Sequence, residues 1–239
     1  MTFSLAKKIA AEGLGTAFLV AIVIGSGIMG ETLSPENDAV ALLANSAATG
    51  AGLCVLIAVF GPVSGAHFNP AVTLAFAVRR DIAPTTALVF VGAQCVGAVA
   101  GAMLTHAMFE QDLLQVSVST RDGPGRLIGE ATATFGLVLT IFGGLRVRPG
   151  GTAALVGLWI AAGYWFTSST SFANPAVTLA RTLSDTFAGI RPADAPGFIA
   201  AQTVGALLAT GLSSWLFATD GRRYRPADAG PPQPIPNAR

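Results

Sequence analysis

The chain has 239 residues, of which 52% are hydrophobic and 11% are charged, with a formal net charge of +1. Soluble domains carry about 25% charged residues, so this composition excludes an ordinary soluble enzyme and a disordered chain. The small net charge gives no electrostatic basis for binding nucleic acid, and Cys54 and Cys95 lie in apolar runs at a spacing that fits no metal site.

Intervals without charged residues predict the membrane-spanning elements in chain order. A span needs about 20 mostly apolar residues, and the pattern predicts helices at 7–29, 39–60, 84–108, 127–147, 152–168 and 195–218. The uncharged intervals 39–78 and 149–180 are too long for one span and too short for two spans with a loop. Each therefore predicts a further buried half-helix, at 70–79 and at 175–184.

Three pairs of similar segments predict an internal duplication. Glu12 begins a Glu-x-x-x-Thr segment that recurs at Glu130, and Asn-Pro-Ala-Val-Thr-Leu-Ala stands at 69–75 and at 174–180. Ala-Gln-x-x-Gly-Ala stands at 93–98 and at 201–206. A three-span unit places its ends on opposite sides, so its copy enters the membrane from the other side, as in transport proteins. We predict an all-α membrane protein of six transmembrane helices and two re-entrant half-helices.

The predicted units divide the chain into a channel domain at 1–218 and a flexible tail at 219–239. The first repeat covers about 7–108 and the second about 127–218. We interpret the apolar run after Lys7 as the first span and not as a removed signal peptide. Basic residues mark the cytoplasmic side, and this topology puts both termini there. The basic residues that it places together are Lys7, Lys8, Arg79, Arg80, Arg146, Arg148, Arg222, Arg223 and Arg225.

The repeated Asn-Pro-Ala has a physical meaning within a membrane. Pro70 and Pro175 stand at the first helical position, where no backbone donor is lost, and Asn69 and Asn174 are good N-cap residues. A half-helix that begins inside the membrane carries free N–H groups and partial positive charge at its tip. Two such tips would disfavour cations and protons at the centre of a pore but admit neutral polar solutes.

At these residues the chain resembles the aquaporin, or major intrinsic protein, family. Ser-Gly-Ala-His-Phe-Asn-Pro-Ala-Val-Thr at 64–73 is similar to its first signature, and Ser-Phe-Ala-Asn-Pro-Ala at 171–176 to its second. The resemblance covers about residues 7–218. It implies a homotetramer with one pore per subunit, lined at its centre by Asn69, Pro70, Ala71, Asn174, Pro175 and Ala176. It also implies that Glu12 and Glu130 hydrogen-bond to the re-entrant loops and that His67 supports the first loop.

Aquaporins narrow near the outer mouth at four positions, which can be placed by counting from the two asparagines. The count gives Thr49, Ala162, Ser171 and Val177. The family's arginine directly after the second Asn-Pro-Ala is replaced by Val177, so we expect a wide filter that lacks a fixed cation. Arg181 lies four residues later on the same helical face. It either reaches back toward the vacant position or stays in the outer vestibule.

The stretch 177–190 is similar to a bacterial aquaporin subgroup associated with arsenic-resistance operons. The resemblance implies a passive channel in the bacterial inner membrane for water, glycerol-like polyols, arsenite and other metalloid hydroxides, and for methylated arsenicals. Because the filter arginine is missing, an anion-leaky or ion-conducting channel is the alternative. A membrane enzyme would have only Glu12, Glu130, His67 and His106 for its chemistry, so no enzyme, catalytic residue, metal or cofactor is expected.

Overall fold

The computed structural model describes residues 3–218, which form helices joined by loops. The tail predicted at 219–239 lies outside the described residues. A single 3-10 turn, Pro149–Gly151, precedes the sixth helix. The α-helices are α1 Leu5–Leu33, α2 Asp38–Ser64, α3 Pro70–Val78, α4 Pro84–Met108, α5 Pro124–Val147, α6 Thr152–Phe166, α7 Pro175–Arg181 and α8 Ala195–Leu216.

Proline and asparagine set the starts of the helices. Proline occupies the first helical position of α3, α4, α5 and α7, where its missing N–H and fixed φ are tolerated. Asn69 caps α3 and Asn174 caps α7, each through its side-chain oxygen. The two half-helices therefore begin at the residues that the sequence indicates.

The helices contact one another in two equivalent sets. In the first set α1 packs on α2 and α4, and in the second α5 packs on α6 and α8. Each half-helix contacts both sets, because α3 and α7 each pack against α4 and α8. Helices α2 and α6 contact each other across the middle. This pattern is that of two interlocked three-helix repeats, as the duplicated segments predict.

Small residues bring the paired helices close together. A Cβ atom on Gly97 of α4 would overlap with the carbonyl of Gly13 in α1, and a Cβ atom on Gly205 of α8 would overlap with the carbonyl of Ala131 in α5. Gly97 and Gly205 occupy the same place in the repeated Ala-Gln-x-x-Gly-Ala segment. Such close backbone approach is typical of helix pairs in membranes.

The predicted order of six spans and two half-helices is confirmed, with local differences in length. Five helices, α1, α2, α4, α5 and α8, are long and apolar enough to cross a membrane. The remaining predicted span, at 152–168, corresponds to α6, which has 15 residues, fewer than the 20 or so that a full span needs. Helix α7 ends at Arg181 rather than at 184, because the N–H groups of Thr182 and Leu183 donate to carbonyls three residues back and the Arg181 carbonyl accepts from Ile190 N.

Candidate functional site

The tips of the two half-helices meet in the interior. The Nδ2 atom of Asn69 donates to the carbonyl of Ala173 at 2.7 Å, and that of Asn174 donates to the carbonyl of Phe68 at 2.8 Å. The Oδ1 atoms cap their own helices: Asn69 accepts from Ala71 N, and Asn174 accepts from Ala176 N. Each amide therefore uses its oxygen and one N–H in the scaffold and keeps a second N–H.

The loops before the two asparagines have an unusual backbone. Ala66 and Phe68 in the first loop have φ of 51° and 50°, and Ser171 and Ala173 in the second have φ of 51° and 48°. These are left-handed conformations that non-glycine residues adopt at a cost of about 1 kcal/mol or more each. In both loops the strained residues stand three positions and one position before the asparagine. Such conformations persist where the surroundings hold them firmly.

Two buried carboxylates hold these loops. Glu12 accepts from the backbone N–H groups of His67 at 3.0 Å and Phe68 at 2.7 Å, and also from the Ser64 hydroxyl at 2.6 Å. Both Glu12 and Glu130 are fully buried. Each oxygen of Glu12 accepts from one of the two backbone donors, which ties α1 to the first loop.

Glu130 of α5 repeats this arrangement in the second half. Its two oxygens accept from the N–H groups of Phe172 at 2.8 Å and Ala173 at 2.9 Å. A buried glutamine then bridges each carboxylate to the nearby half-helix: Gln94 donates to Glu12 and Thr73, and Gln202 donates to Glu130 and Thr178. The duplication therefore extends to the hydrogen bonds.

The two halves differ in one stacked pair. His67 lies two residues before Asn69 and packs on Phe76, with ring centroids 4.4 Å apart, while its Nδ1 lies 3.1 Å from Thr73 Oγ1. The equivalent positions beside Asn174 hold Phe172 and Arg181. The Arg181 guanidinium carbon lies 3.3 Å from the centroid of the Phe172 ring. An aromatic pair in the first half thus becomes a cation on an aromatic ring in the second.

One internal cavity of about 580 Å³ passes both turns. Thr49 and Pro62, which both belong to α2, line it. Pro62 follows Thr49 by 13 residues of α-helix, which correspond to about 20 Å at about 1.5 Å per residue. Asn69 and Asn174 line it as well. Most of the lining is apolar, and among residues 3–218 Arg181 is its only residue with a permanent charge.

The Arg181 end of the cavity is defined by side chains from both halves. Thr49 Oγ1 and the Tyr164 hydroxyl lie 3.2 Å apart, across the contact between α2 and α6. Ser171, Val177 and Arg181 line the same cavity, and all five residues are buried. Three of the four positions counted from the asparagines, Thr49, Ser171 and Val177, thus come together here. Arg181 joins them and does not lie apart.

The fourth counted position is wrong. Ala162 is exposed and does not line the cavity, whereas Tyr164 does. The cavity-facing residues of α6 are Ala153, Val156, Ile160 and Tyr164, which recur every three or four residues. Ala162 lies between two of them in sequence and therefore on the opposite side of the helix. The count fails because it assumes a fixed course for the loop between Phe166 and Asn174.

Sequence analysis missed Tyr164 and Phe172, which line the cavity, and Arg121, whose guanidinium carbon lies 5.1 Å from the centroid of the Phe172 ring. The helical spacing of apolar residues leading to Tyr164 was a usable signal. Phe172 is equivalent to His67 in the duplicated motif, so the repeat also pointed to it. No local pattern indicates Arg121, because its partners are 49 to 68 residues away: its guanidinium donates to Thr170 Oγ1 and to the carbonyls of Phe187 and Gly189.

A loop network covers this end of the protein. The backbone N–H of Arg121 donates to Asp194 at 2.8 Å, and the Arg191 guanidinium donates to the other oxygen of Asp194 at 2.8 Å. The hydrogen bond from Arg191 lowers the pKa of Asp194 below its ordinary value and raises that of Arg191. These contacts join the loop after α4 to the segment between α7 and α8. Within residues 3–218, no cluster of three His, Cys, Asp or Glu side chains could hold a metal ion.

Comparisons with known proteins show which family this chain resembles. A family model described as major intrinsic protein matches residues 1–171. Aquaglyceroporin AqpS of Rhizobium meliloti strain 1021 is 51% identical over 214 residues, which are 90% of this chain and 91% of the relative. Human aquaporin-4 is 28% identical, over 92% of this chain and 71% of its own length.

A solved structure supports the fold. The X-ray structure of the aquaglyceroporin from Plasmodium falciparum matches with a TM-score of 0.69, covering 87% of this chain and 95% of that one. The two sequences are 19% identical, so this match speaks for the fold alone. The architecture of six helices and two half-helices is thus shared with a known channel structure.

Proposed function

We infer the function from the family and the cavity: the chain belongs to the major intrinsic protein family, a family of membrane channels, and we propose that it is a passive channel for small neutral solutes. The observation that carries the proposal is the single cavity that passes both Asn-Pro-Ala turns. A conduit with a mostly apolar wall and a few polar groups suits solutes that keep only a few hydrogen bonds as they pass.

We propose that Asn69 and Asn174, with Pro70, Ala71, Pro175 and Ala176, form the central part of the pore. Both half-helices begin here, so their positive ends converge on the same point. The remaining N–H of each asparagine amide is a donor for a water or hydroxyl oxygen. Positive potential at this point disfavours cations and leaves neutral solutes unaffected.

The same proposal assigns the narrow outer end to Thr49, Tyr164, Ser171 and Val177, with Arg181 as its charge. Tyr164 takes the place that the sequence count gave to Ala162. In this proposal the outer end presents the two neighbouring hydroxyl groups of Thr49 and Tyr164, the apolar side chain of Val177 and the cation of Arg181. A solute with several hydroxyl groups, such as glycerol or undissociated arsenous acid, offers acceptors and donors for these groups. Arsenite, other metalloid hydroxides and methylated arsenicals are therefore proposed substrates.

We further propose that Glu12, Glu130 and His67 are scaffold residues. The hydrogen bonds of these residues support the proposal. Glu12 and Glu130 accept from backbone N–H groups of the strained loops, and His67 Nδ1 lies within hydrogen-bond distance of Thr73 Oγ1. The described chain is a multi-pass membrane protein. We propose that it lies in the bacterial inner membrane with both termini in the cytoplasm and assembles as a homotetramer. Apolar side chains on the outside of α4 and α8, such as Leu88, Val96 and Leu208, suit contact with lipid or with another copy.

The proposal is tested by stopped-flow measurements on proteoliposomes that contain the full chain. Water flux, glycerol uptake and arsenite uptake are measured side by side, and empty liposomes are the control. We expect all three to exceed the control, with no sodium or potassium conductance. Flux equal to that of empty liposomes would exclude the channel, and a sodium or potassium conductance would favour the ion-conducting alternative.

A further inference from the structure

We propose that the Arg181 end of the cavity is a binding site for a small monovalent anion, such as chloride or nitrate, which competes there with neutral solutes. The inference rests on the proposed function, because the anion must enter the same cavity as the solute. Its basis is a buried cation whose free donors face the cavity and whose charge is not balanced by a neighbouring carboxylate.

Arg181 is 2% exposed, although it carries a full positive charge. It lies at the end of α7 and is the only permanently charged residue in the described part of the chain that lines the cavity. Its guanidinium is held on two sides. Nε donates to the Ala188 carbonyl, and the planar group stacks on the Phe172 ring, 3.3 Å from the centroid. The guanidinium of Arg181 is therefore held in one position.

The end of the guanidinium has free donors. An arginine side chain carries five N–H donors, and the bond to Ala188 uses one of them. Among residues 3–218 the two terminal nitrogens of Arg181 have no hydrogen-bond partner, and neither is sealed away from the cavity. Four N–H groups in a planar fork are therefore available to an acceptor in the cavity. A halide or a planar oxyanion is the type of ligand that this fork binds best.

No carboxylate forms an ion pair with Arg181 within the described part of the chain. The ion pairs there involve Arg79 and Arg191, and not Arg181. The fully buried Glu130 already accepts from Phe172, Ala173 and Gln202. A buried charge without a partner is costly, so a mobile anion that reaches the guanidinium gains a strong interaction.

A second guanidinium reinforces the positive potential. The guanidinium carbon of Arg121 lies 5.1 Å from the centroid of the same Phe172 ring. Burial lowers the pKa of Arg121 to about 10, so it stays protonated at neutral pH. Each of its three nitrogens already donates one hydrogen bond, to Gly189, Thr170 or Phe187. Arg121 therefore contributes charge, while Arg181 contributes both charge and free donors.

The surroundings favour a small ligand of single charge. Val177 and Phe172 make part of the wall apolar, and Thr49 and Tyr164 direct hydroxyl groups at each other. A divalent anion would lose more hydration than one free guanidinium can replace. Because solute hydroxyl groups need the same N–H donors, bound anion and passing solute exclude each other.

The experiment compares glycerol uptake by proteoliposomes in sodium nitrate and in sodium gluconate at equal ionic strength and osmolarity. Gluconate is the comparison anion because it is much larger than nitrate and carries the same single charge. For the wild type we expect nitrate to lower glycerol uptake about twofold or more, and to do so saturably. Arg181→Gln removes the charge and should abolish the difference between the salts. Arg191→Gln removes an equal charge from the surface loop and should leave the difference intact.

Arg181→Met, which keeps the length of the side chain on Phe172, replaces Arg181→Gln if that variant does not assemble. Nitrate without effect on a conducting wild type would overturn the proposal, as would equal inhibition of the Arg181 variant.

If the wild type does not conduct glycerol, the proposed function fails, and anion binding is then decided separately by thermal unfolding. Nitrate should raise the unfolding temperature of the detergent-solubilised wild type above its value in gluconate. The unfolding temperature of the Arg181 variant should be the same in both salts. Equal shifts would exclude the site.

Discussion

Asn69 and Asn174 are linked crosswise, since each side-chain amide donates to the carbonyl of the residue that precedes the other asparagine, at 2.7 and 2.8 Å. The two bonds join loops that are more than 100 residues apart in sequence. Each asparagine thus positions the other half of the molecule as well as its own helix. The exchange is reciprocal, so a change at either residue disturbs both tips.

We first predict the effect of removing this link. Asn69→Ala together with Asn174→Ala deletes both crosswise bonds and two helix caps, at about 1 kcal/mol for each cap. Glycerol uptake should fall, or a sodium leak should appear, in proteoliposomes. Asn37→Ala is the control, because Asn37 caps α2 at the exposed surface. A double variant that assembles and conducts like the wild type would contradict the central-barrier account.

The second prediction concerns the buried carboxylates. Glu12→Leu leaves the N–H groups of His67 and Phe68 without an acceptor, at about 1–3 kcal/mol each, and should prevent assembly. Glu12→Gln keeps one acceptor and should cost less. Gln94 can reverse its amide, whose Oε1 has no partner within residues 3–218. Glu130→Leu and Glu130→Gln should behave in the same way.

Size-exclusion chromatography and thermal unfolding in detergent provide the measurement for these carboxylate variants. Glu36→Leu serves as the comparison, since Glu36 is exposed on the loop before α2. Normal assembly of both leucine variants would remove the scaffold role from Glu12 and Glu130.

The third prediction separates Tyr164 from Ala162. Tyr164→Ala should enlarge the outer end of the cavity and raise the ratio of glycerol uptake to water flux. Ala162→Val should leave that ratio unchanged, because Ala162 faces away from the cavity. Stopped-flow light scattering gives both rates. The opposite result, a change only at Ala162, would restore the position that the sequence count indicated.

A fourth prediction concerns Val177, which lines the cavity one helical turn before Arg181. Val177→Arg adds a long cation beside an existing one. It should narrow the passage and reduce glycerol or arsenite uptake more than water flux. Val72→Arg is not a suitable control, since Val72 also lines the cavity. Val147→Arg is preferable, because Val147 is exposed at the end of α5 between two arginines. An unchanged ratio of solute uptake to water flux in Val177→Arg would exclude Val177 from the narrow end.

The fifth prediction tests helix packing. Gly97→Ala would place a methyl group against the Gly13 carbonyl, and Gly205→Ala would do the same at the Ala131 carbonyl. Overpacking of this kind typically costs about 1–3 kcal/mol, so both variants should unfold at a lower temperature. Gly92→Ala, also in α4, has open space around the added methyl group and should be neutral. Equal unfolding temperatures for Gly92→Ala and Gly97→Ala would contradict the close approach of α1 and α4.

The elements that sequence reasoning predicted well depend on local chemistry. Uncharged intervals indicated the spans, and Asn-Pro marked the starts of α3 and α7, because capping and proline geometry are properties of a few adjacent residues. The duplicated Glu, Gln and Asn-Pro-Ala segments predicted equivalent partners in both halves. Their hydrogen bonds follow that symmetry residue by residue.

The Arg181 end could not be derived in the same way. Thr49 meets Tyr164 across 115 positions of sequence, and the Arg121 guanidinium meets the Gly189 carbonyl across 68. Counting from Asn174 selected Ala162, although the rotation of α6 turns Tyr164 to the cavity. The sequence by itself determined the spans, the repeat and the caps, because these depend on residues that are adjacent along the chain. Only the tertiary structure decided which side chains share the cavity with Arg181, because that depends on how the loops and helices of the two halves pack against each other.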